Sequence, residues 1–295
     1  MSMTRWEPTT HENPGKRRPL AESYDGFILD IWGVLHDGEK PYPGVPEALR
    51  ELRARRKRIV LLSNAPRRSW TVGEALAGMG LGAELFDGIV TSGEVAWTLL
   101  RDRTHPYFAP LGRRAFHIGP ERDLSVIESL DISVTRDAAA ADFVLNTGPD
   151  FEHGRESVTP YLPMLEAAAA AGLPMVCTNP DRAVMVAGQR LICAGAFADR
   201  YMELGGPVIE IGKPDPMVYE TVLATLGLPA HRIAAVGDTP HTDLAGAQAV
   251  GVDAIWALTG LAGDHFGPNP TPEALDAEAA REGVTPKVAL RSLRW

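Results

Sequence analysis

The chain has little cysteine: Cys177 and Cys193 are the 2 in its 295 residues. Two thiols make no disulfide framework, and a reducing cytoplasm is the simplest compartment for them. They are too few for a structural zinc site and have no local His pair to complete one, so both are expected to be small buried apolar residues. Long apolar runs are also missing. No stretch approaches the ~20 consecutive apolar residues of a membrane helix, and the first twenty residues lack the apolar segment of a secretory signal. Basic charge is in deficit, with 29 Lys and Arg against 38 Asp and Glu and a net charge of -9. That balance argues against a nucleic-acid partner, which needs a basic field. The basic run Arg50, Arg53, Arg55 to Arg58 reads as a solvated helix end, favourable to the helix dipole. Apolar residues at 45% and charged residues at 23% are ordinary for a globular chain. The length suggests roughly two domains at about 150 residues each.

The polar first segment, residues 1–22, reads as an arm with little structure of its own. Phe27-Ile28-Leu29, Ile59 to Leu62, Ile89-Val90 and Ile233 to Val236 are short continuous apolar runs, expected of strands buried on both faces. Asp253 to Trp256 is a further candidate. Helices are predicted over 46–57, 69–79 and 217–226, and alternation of strands and helices indicates a doubly wound parallel α/β sheet, Rossmann-like in type. Residues 107–206 read as a second α/β unit inserted into the first, with strands near 115–119, 143–146 and 175–179. The core would then comprise residues 23–106 and 207–295. Beyond Gly260 a loop and a short helix are expected.

Several strand ends finish in polar residues: Asp30, Ser63-Asn64 and Gly237-Asp238. Ligands of open parallel sheets bind outside the carboxyl ends of the strands. Carboxylates, a hydroxyl and an amide converging there suit a hard cation such as Mg2+ together with an anionic substrate. Lys213 could place its ammonium against a phosphate and a carboxylate; alone, it would read as a solvent-facing lysine. Asp243, five residues after Asp238, could hold a metal-bound water or simply cap a helix over 243–250. Arg67 and Arg68 could reach an anionic substrate, with solvent exposure the plainer reading.

The set Asp30-Ile31-Trp32-Gly33-Val34, Ser63-Asn64, Gly212-Lys213-Pro214 and Gly237-Asp238 through Asp243 resembles the four ordered motifs of the haloacid dehalogenase superfamily. The large α/β insertion between the second and third motifs is similar to that of its class IIA branch, which includes nucleotide, 4-nitrophenyl-phosphate and pyridoxal-phosphate phosphatases. Cys177-Thr178-Asn179-Pro180-Asp181 resembles an element of that branch's cap. The resemblance implies a Mg2+-dependent phosphomonoester hydrolase acting on a small phosphorylated metabolite. Asp30 would be the nucleophile that becomes an aspartyl-phosphate. Asp30, the Trp32 main-chain carbonyl and Asp238 would hold Mg2+, with Asp243 acting through water. Ser63 and Asn64 would bind phosphoryl oxygens, Lys213 would fix charge and geometry, and Asn179 and Asp181 would contact substrate from the cap. A cap-mediated homodimer is a further implication.

The chain departs from the family pattern at Trp32. Phosphatases of the family carry there a second Asp, the general acid/base, and an indole cannot shuttle a proton. General acid–base catalysis is typically worth ~10²–10⁴-fold. Three readings remain open: a substrate with a good leaving group, a substitute acid such as His36 or Asp37, or a catalytically weak protein that binds a phosphorylated ligand and metal.

Overall fold

The computed structural model describes residues 20–295. Most of the expected N-terminal arm lies outside the described residues. Its last part is not an arm: residues 20–23 are helical, and Leu20 and Ala21 pack on the core.

The apolar runs form strands because only a sheet covered on both faces can bury every residue of such a run. β1 (Gly26–Leu29) is wholly buried, and Val45–Ala54 (α1) leads to β2 (Arg58–Ser63). Ser69–Gly78 (α2), β3 (Gly88–Thr91) and Ser92–Asp102 (α3) follow. The chain then leaves this sheet for β4 (Arg114–Ile118), β5 (Ser133–Thr135), β6 (Phe143–Asn146), α4 (Leu162–Ala170) and β7 (Met175–Cys177). An antiparallel hairpin, β8 (Ala183–Val186) with β9 (Gln189–Ile192), precedes α5 (Ala194–Glu203) and β10 (Val208–Glu210). The return comprises α6 (Pro216–Leu226), β11 (Ile233–Gly237), α7 (Ala245–Ala249), β12 (Asp253–Ala257), α8 (Gly260–Phe266), α9 (Pro272–Arg281) and β13 (Val288–Leu290).

Two parallel sheets result, ordered β13-β12-β11-β1-β2-β3 and β10-β7-β6-β4-β5. Alternate residues of the first sheet feed opposite cores: Leu29, Leu61 and Val236 on one face, Ile28, Val60 and Trp256 on the other. The central pair, β1 and β11, is where the winding direction reverses, and Asp30 and Asp238 directly follow those two strands. The switch point of an open sheet is where its ligands bind.

The structure corrects several boundaries. β10 pairs with Met175–Cys177 in the second sheet, so residues 208–210 do not belong with the first. The region beyond Gly260 holds two helices and an edge strand rather than a loop and one helix. Asp243 does not head an α-helix; it lies within a π-helical turn, Pro240–Leu244, ahead of α7. Among the described residues no helix is long and apolar enough to cross a membrane.

Candidate active site

The loop after β1 turns tightly, with Leu35 and His36 both donating to the Ile31 carbonyl and Gly33 at φ +86°. A β-carbon on Gly33 would run into the Asp238 carboxylate, so only glycine lets the two strand ends approach. Asp30, Asp238 and Asp243 each offer a carboxylate oxygen, all within 4.8 Å of one another and all buried. Lys213 is buried, not solvent-facing as an isolated lysine would be. Its Nζ donates to Asp30 Oδ1 and to Asp243 Oδ1 at 2.6 Å each. Asp238 accepts from the Leu261 amide at 2.7 Å and the Thr239 hydroxyl at 3.1 Å. Asp243 Oδ2 accepts from the Thr239 amide at 3.2 Å.

Burial pushes the Asp30 carboxyl up to about 7, with Lys213 opposing and Asp243 reinforcing the shift. Burial, then Asp30 and Asp243, hold Asp238 well above the usual carboxylate range. Burial alone would lower the Lys213 ammonium, but Asp243, Asp30 and Asp181 raise it well above its ordinary value. Three buried carboxylates face one ammonium. The set lacks positive charge, and its ligand atoms are all oxygen, which fits a hard divalent cation. The cradle that glycines 33 and 260 leave open around Asp238 fits it as well.

Asn64 is fully engaged within the protein. Its Nδ2 donates to Asp181 Oδ1 at 2.8 Å and the Lys213 carbonyl at 3.4 Å. Its Oδ1 accepts from the Lys213 amide at 2.7 Å and the Ser92 hydroxyl at 3.2 Å. Ser63 Oγ accepts from the Ala65 amide at 3.2 Å, leaving its proton to donate. Asn179 caps its own loop, Oδ1 accepting from the Asp181 amide at 2.9 Å. Asp30, Trp32, Ser63, Asn64, Asn179, Asp181, Lys213, Asp238 and Asp243 thus all border one cavity of about 130 Å³.

Trp32 is half-buried, its ring edge-to-face with His36 at 4.9 Å between centroids. The β8–β9 hairpin reaches over this loop, the Ala187 amide donating to the Asp37 carbonyl at 3.1 Å. His36 Nδ1 accepts from the Gly38 amide at 2.9 Å, and burial lowers its pKa to about 4. Asp37 Oδ1 accepts from the amides of Glu39 and Lys40 at 3.0 and 2.9 Å. Neither side chain borders the cavity, so neither stands where a substitute acid is needed.

Arg67 is a correction: it is not solvent-facing but borders the cavity, and burial lowers its pKa. Arg68 pairs with Glu94 at 2.8 Å and stacks on Trp97. Sequence reasoning missed Arg122, Asp123, Arg155 and the β8–β9 hairpin, which also border the cavity. A charged cluster straight after the Ile118-Gly119-Pro120 strand end was the available signal for two of them. Cys177 and Cys193 are free and buried, as expected.

Comparison with known proteins identifies the family. The model of haloacid dehalogenase-like hydrolases matches residues 27–133, and a HAD-hydrolase-like model matches residues 210–285. A solved haloacid dehalogenase-like hydrolase from Brucella suis is 31% identical, with TM-score 0.79, covering 93% of this chain and 97% of that one. The p-nitrophenyl phosphatase of Archaeoglobus fulgidus is 26% identical, with TM-score 0.69 and coverage of 92% and 97%. Human glycerol-3-phosphate phosphatase is 26% identical over 267 residues, 83% of this chain and 82% of that protein. The chain belongs to the haloacid dehalogenase-like hydrolase family, an enzyme whose named relatives include phosphatases.

Proposed function

We propose that the protein is a Mg2+-dependent phosphomonoester hydrolase of small phosphorylated metabolites, working through an aspartyl-phosphate at Asp30. The observation that carries the reading is the position of Lys213 Nζ, 2.6 Å from both Asp30 and Asp243 at the switch point of the sheet. Asp30, Asp238 and the Trp32 carbonyl would hold the cation, with Asp243 behind them. When bound, the cation would neutralise charge on the phosphoryl group.

Lys213 fixes Asp30 Oδ1, while Asp30 Oδ2 has no donor among the described residues and is the oxygen available to attack phosphorus. Attack forms the Asp30–phosphorus bond and breaks the ester bond. The departing oxygen takes its proton from water, since Trp32 has none to give. Water then attacks phosphorus, releasing inorganic phosphate and restoring the Asp30 carboxylate. Ser63 Oγ is free to donate to a phosphoryl oxygen. Asn64, with its amide occupied, positions Lys213 and Asp181 instead. The cavity is small beside the roughly 300–1,000 Å³ of pockets for drug-sized ligands, which suits a metabolite.

Phosphate release from a panel of phosphomonoesters with Mg2+ tests the reading, wild type beside Asp30→Asn. Release that depends on Asp30 supports it; no release from the wild type, or release unchanged by Asp30→Asn, overturns it. Trp32 favours the second reading, a catalytically weak binder of a phosphorylated ligand. For that reading, calorimetric binding of a phosphomonoester without turnover is the expected outcome.

A further inference from the structure

We propose that the substrate carries a second anionic group, a carboxylate or a second phosphate, on the portion that leaves, and that Arg67, Arg122 and Arg155 bind it. This rests on the phosphatase reading and names its substrate class. The three arginines border the same cavity as Asp30 and Lys213. Arg67 comes from the loop after β2; Arg122 and Arg155 come from the inserted α/β unit. Among the described residues the carboxylate that pairs with two of them is Asp123, 3.6 Å from Arg67 Nε and 3.6 Å from Arg122 Nε. Those distances are too long for hydrogen bonds, and the buried Asp123 Oδ1 has no donor.

The Arg67 guanidinium is therefore placed but not satisfied within the protein, while that of Arg122 is half-exposed at the rim. The Arg67 side chain is only 24% exposed, yet it donates no hydrogen bond among the described residues. Arg155 forms no ion pair among them either. Its guanidinium lies 5.1 Å over the Phe151 ring, and that of Arg122 lies 5.6 Å from the same ring. Stacking fixes the plane of a guanidinium while leaving its N–H edge free. Three cations surround one buried carboxylate on this side of the cavity, while its other carboxylates, Asp30, Asp181, Asp238 and Asp243, gather about Lys213 and the proposed cation site. A largely buried cation such as Arg67, without a hydrogen-bonded partner, is costly, and an oxyanion with two acceptor oxygens is the group whose geometry a guanidinium fork matches. Lys213 serves the transfer site by holding Asp30 and Asp243, whereas Arg122 and Arg155 belong to the inserted unit, so the group we assign to them is one on the leaving portion.

Matched substrates test this on the full-length chain with Mg2+. 3-Phosphoglycerate against glycerol 3-phosphate tests a carboxylate, and fructose 1,6-bisphosphate against fructose 6-phosphate tests a phosphate. At least one doubly anionic member is expected to show a higher kcat/KM, about 10–100-fold, mostly through KM. That ratio should fall ~10-fold or more in Arg155→Gln and in Arg122→Gln, with melting temperatures close to wild type. Equal kcat/KM within both pairs, or ratios unchanged in both variants, overturns the inference. Hydrolysis of no substrate, 4-nitrophenyl phosphate included, counts against the phosphatase reading instead. Calorimetric binding of the four compounds to Asp30→Asn, with and without Arg155→Gln, then decides the subsite alone. Tighter binding of a doubly anionic member that is lost with Arg155 supports it; equal binding overturns it.

Discussion

Lys213 and Asp30 stand 183 positions apart in the chain and 2.6 Å apart across the site, and the same ammonium reaches Asp243 at 2.6 Å. One lysine therefore ties the loop before α6 to the end of β1 and to the π-helical turn that follows β11. Breaking a buried pair by removing one partner typically costs about 3–5 kcal/mol, because a buried charge is left uncompensated. Lys213→Met is expected to lower the melting temperature and abolish phosphate release. The companion variant Asp30→Asn should keep the fold while losing turnover by on the order of 10⁴–10⁶-fold, as removal of a nucleophile does. Thermal melts beside phosphate-release assays separate the two effects. A Lys213→Met protein as active as wild type would show that the bridge is not part of the reaction.

Trp32 is predicted to make the enzyme selective for leaving groups that need no proton from the protein. Trp32→Asp is expected to raise kcat on alkyl phosphates by ~10²–10⁴-fold, and on 4-nitrophenyl phosphate by much less. The ring packs against His36 and beneath the β8–β9 hairpin, so some loss of stability should accompany the gain. The alkyl-to-aryl ratio of kcat is the measurement. An unchanged ratio would mean that proton delivery does not limit this enzyme.

The core sheet was legible because its strands are continuous apolar runs, such as Phe27-Ile28-Leu29 and Ile233 to Val236, which leave only a doubly covered sheet as their destination. The polar residues closing those runs were legible for the same reason: Asp30 and Asp238 break the pattern where burial ends. Val288–Leu290 was not, because three residues with one fully buried carry no periodicity; the strand exists through its pairing with β12. The β8–β9 hairpin turns on Ala187 and Gly188, both at positive φ, and the Ala in that turn hides the usual sequence signal. Arg67, Arg122 and Arg155 share no spacing at all. Their meeting is tertiary, made by the inserted unit closing on the loop after β2, and no one-dimensional pattern encodes it.

Gly33→Ala tests the close approach of the strand ends. The substitution places a β-carbon against the Asp238 carboxylate at a left-handed backbone position. The conformational part alone costs roughly 1–2 kcal/mol. Displacement of Asp238 should also weaken Mg2+ binding, read by calorimetric titration of the purified protein. Gly78→Ala, where nothing lies within 4 Å of the added carbon, is the control and should leave the titration unchanged. Equal Mg2+ affinity in both variants would remove Asp238 from the cation site.

Asp123 gives a pH prediction distinct from the cation site. Its carboxyl is pushed up to about 6, burial outweighing the arginines at 3.6 Å. The folded pKa thus lies above the unfolded value, so the stability contribution is fully present below about pH 4 and lost as the pH rises through 6. Asp123→Asn cannot titrate. Wild type and Asp123→Asn should differ least near pH 4, and the difference should shift against wild type by on the order of 2–3 kcal/mol by pH 7. Denaturant unfolding of both proteins at pH 4, 5, 6 and 7 measures that difference. A difference that stays constant across the range would show that the Arg67 and Arg122 charges offset the cost of burial and already hold Asp123 ionised.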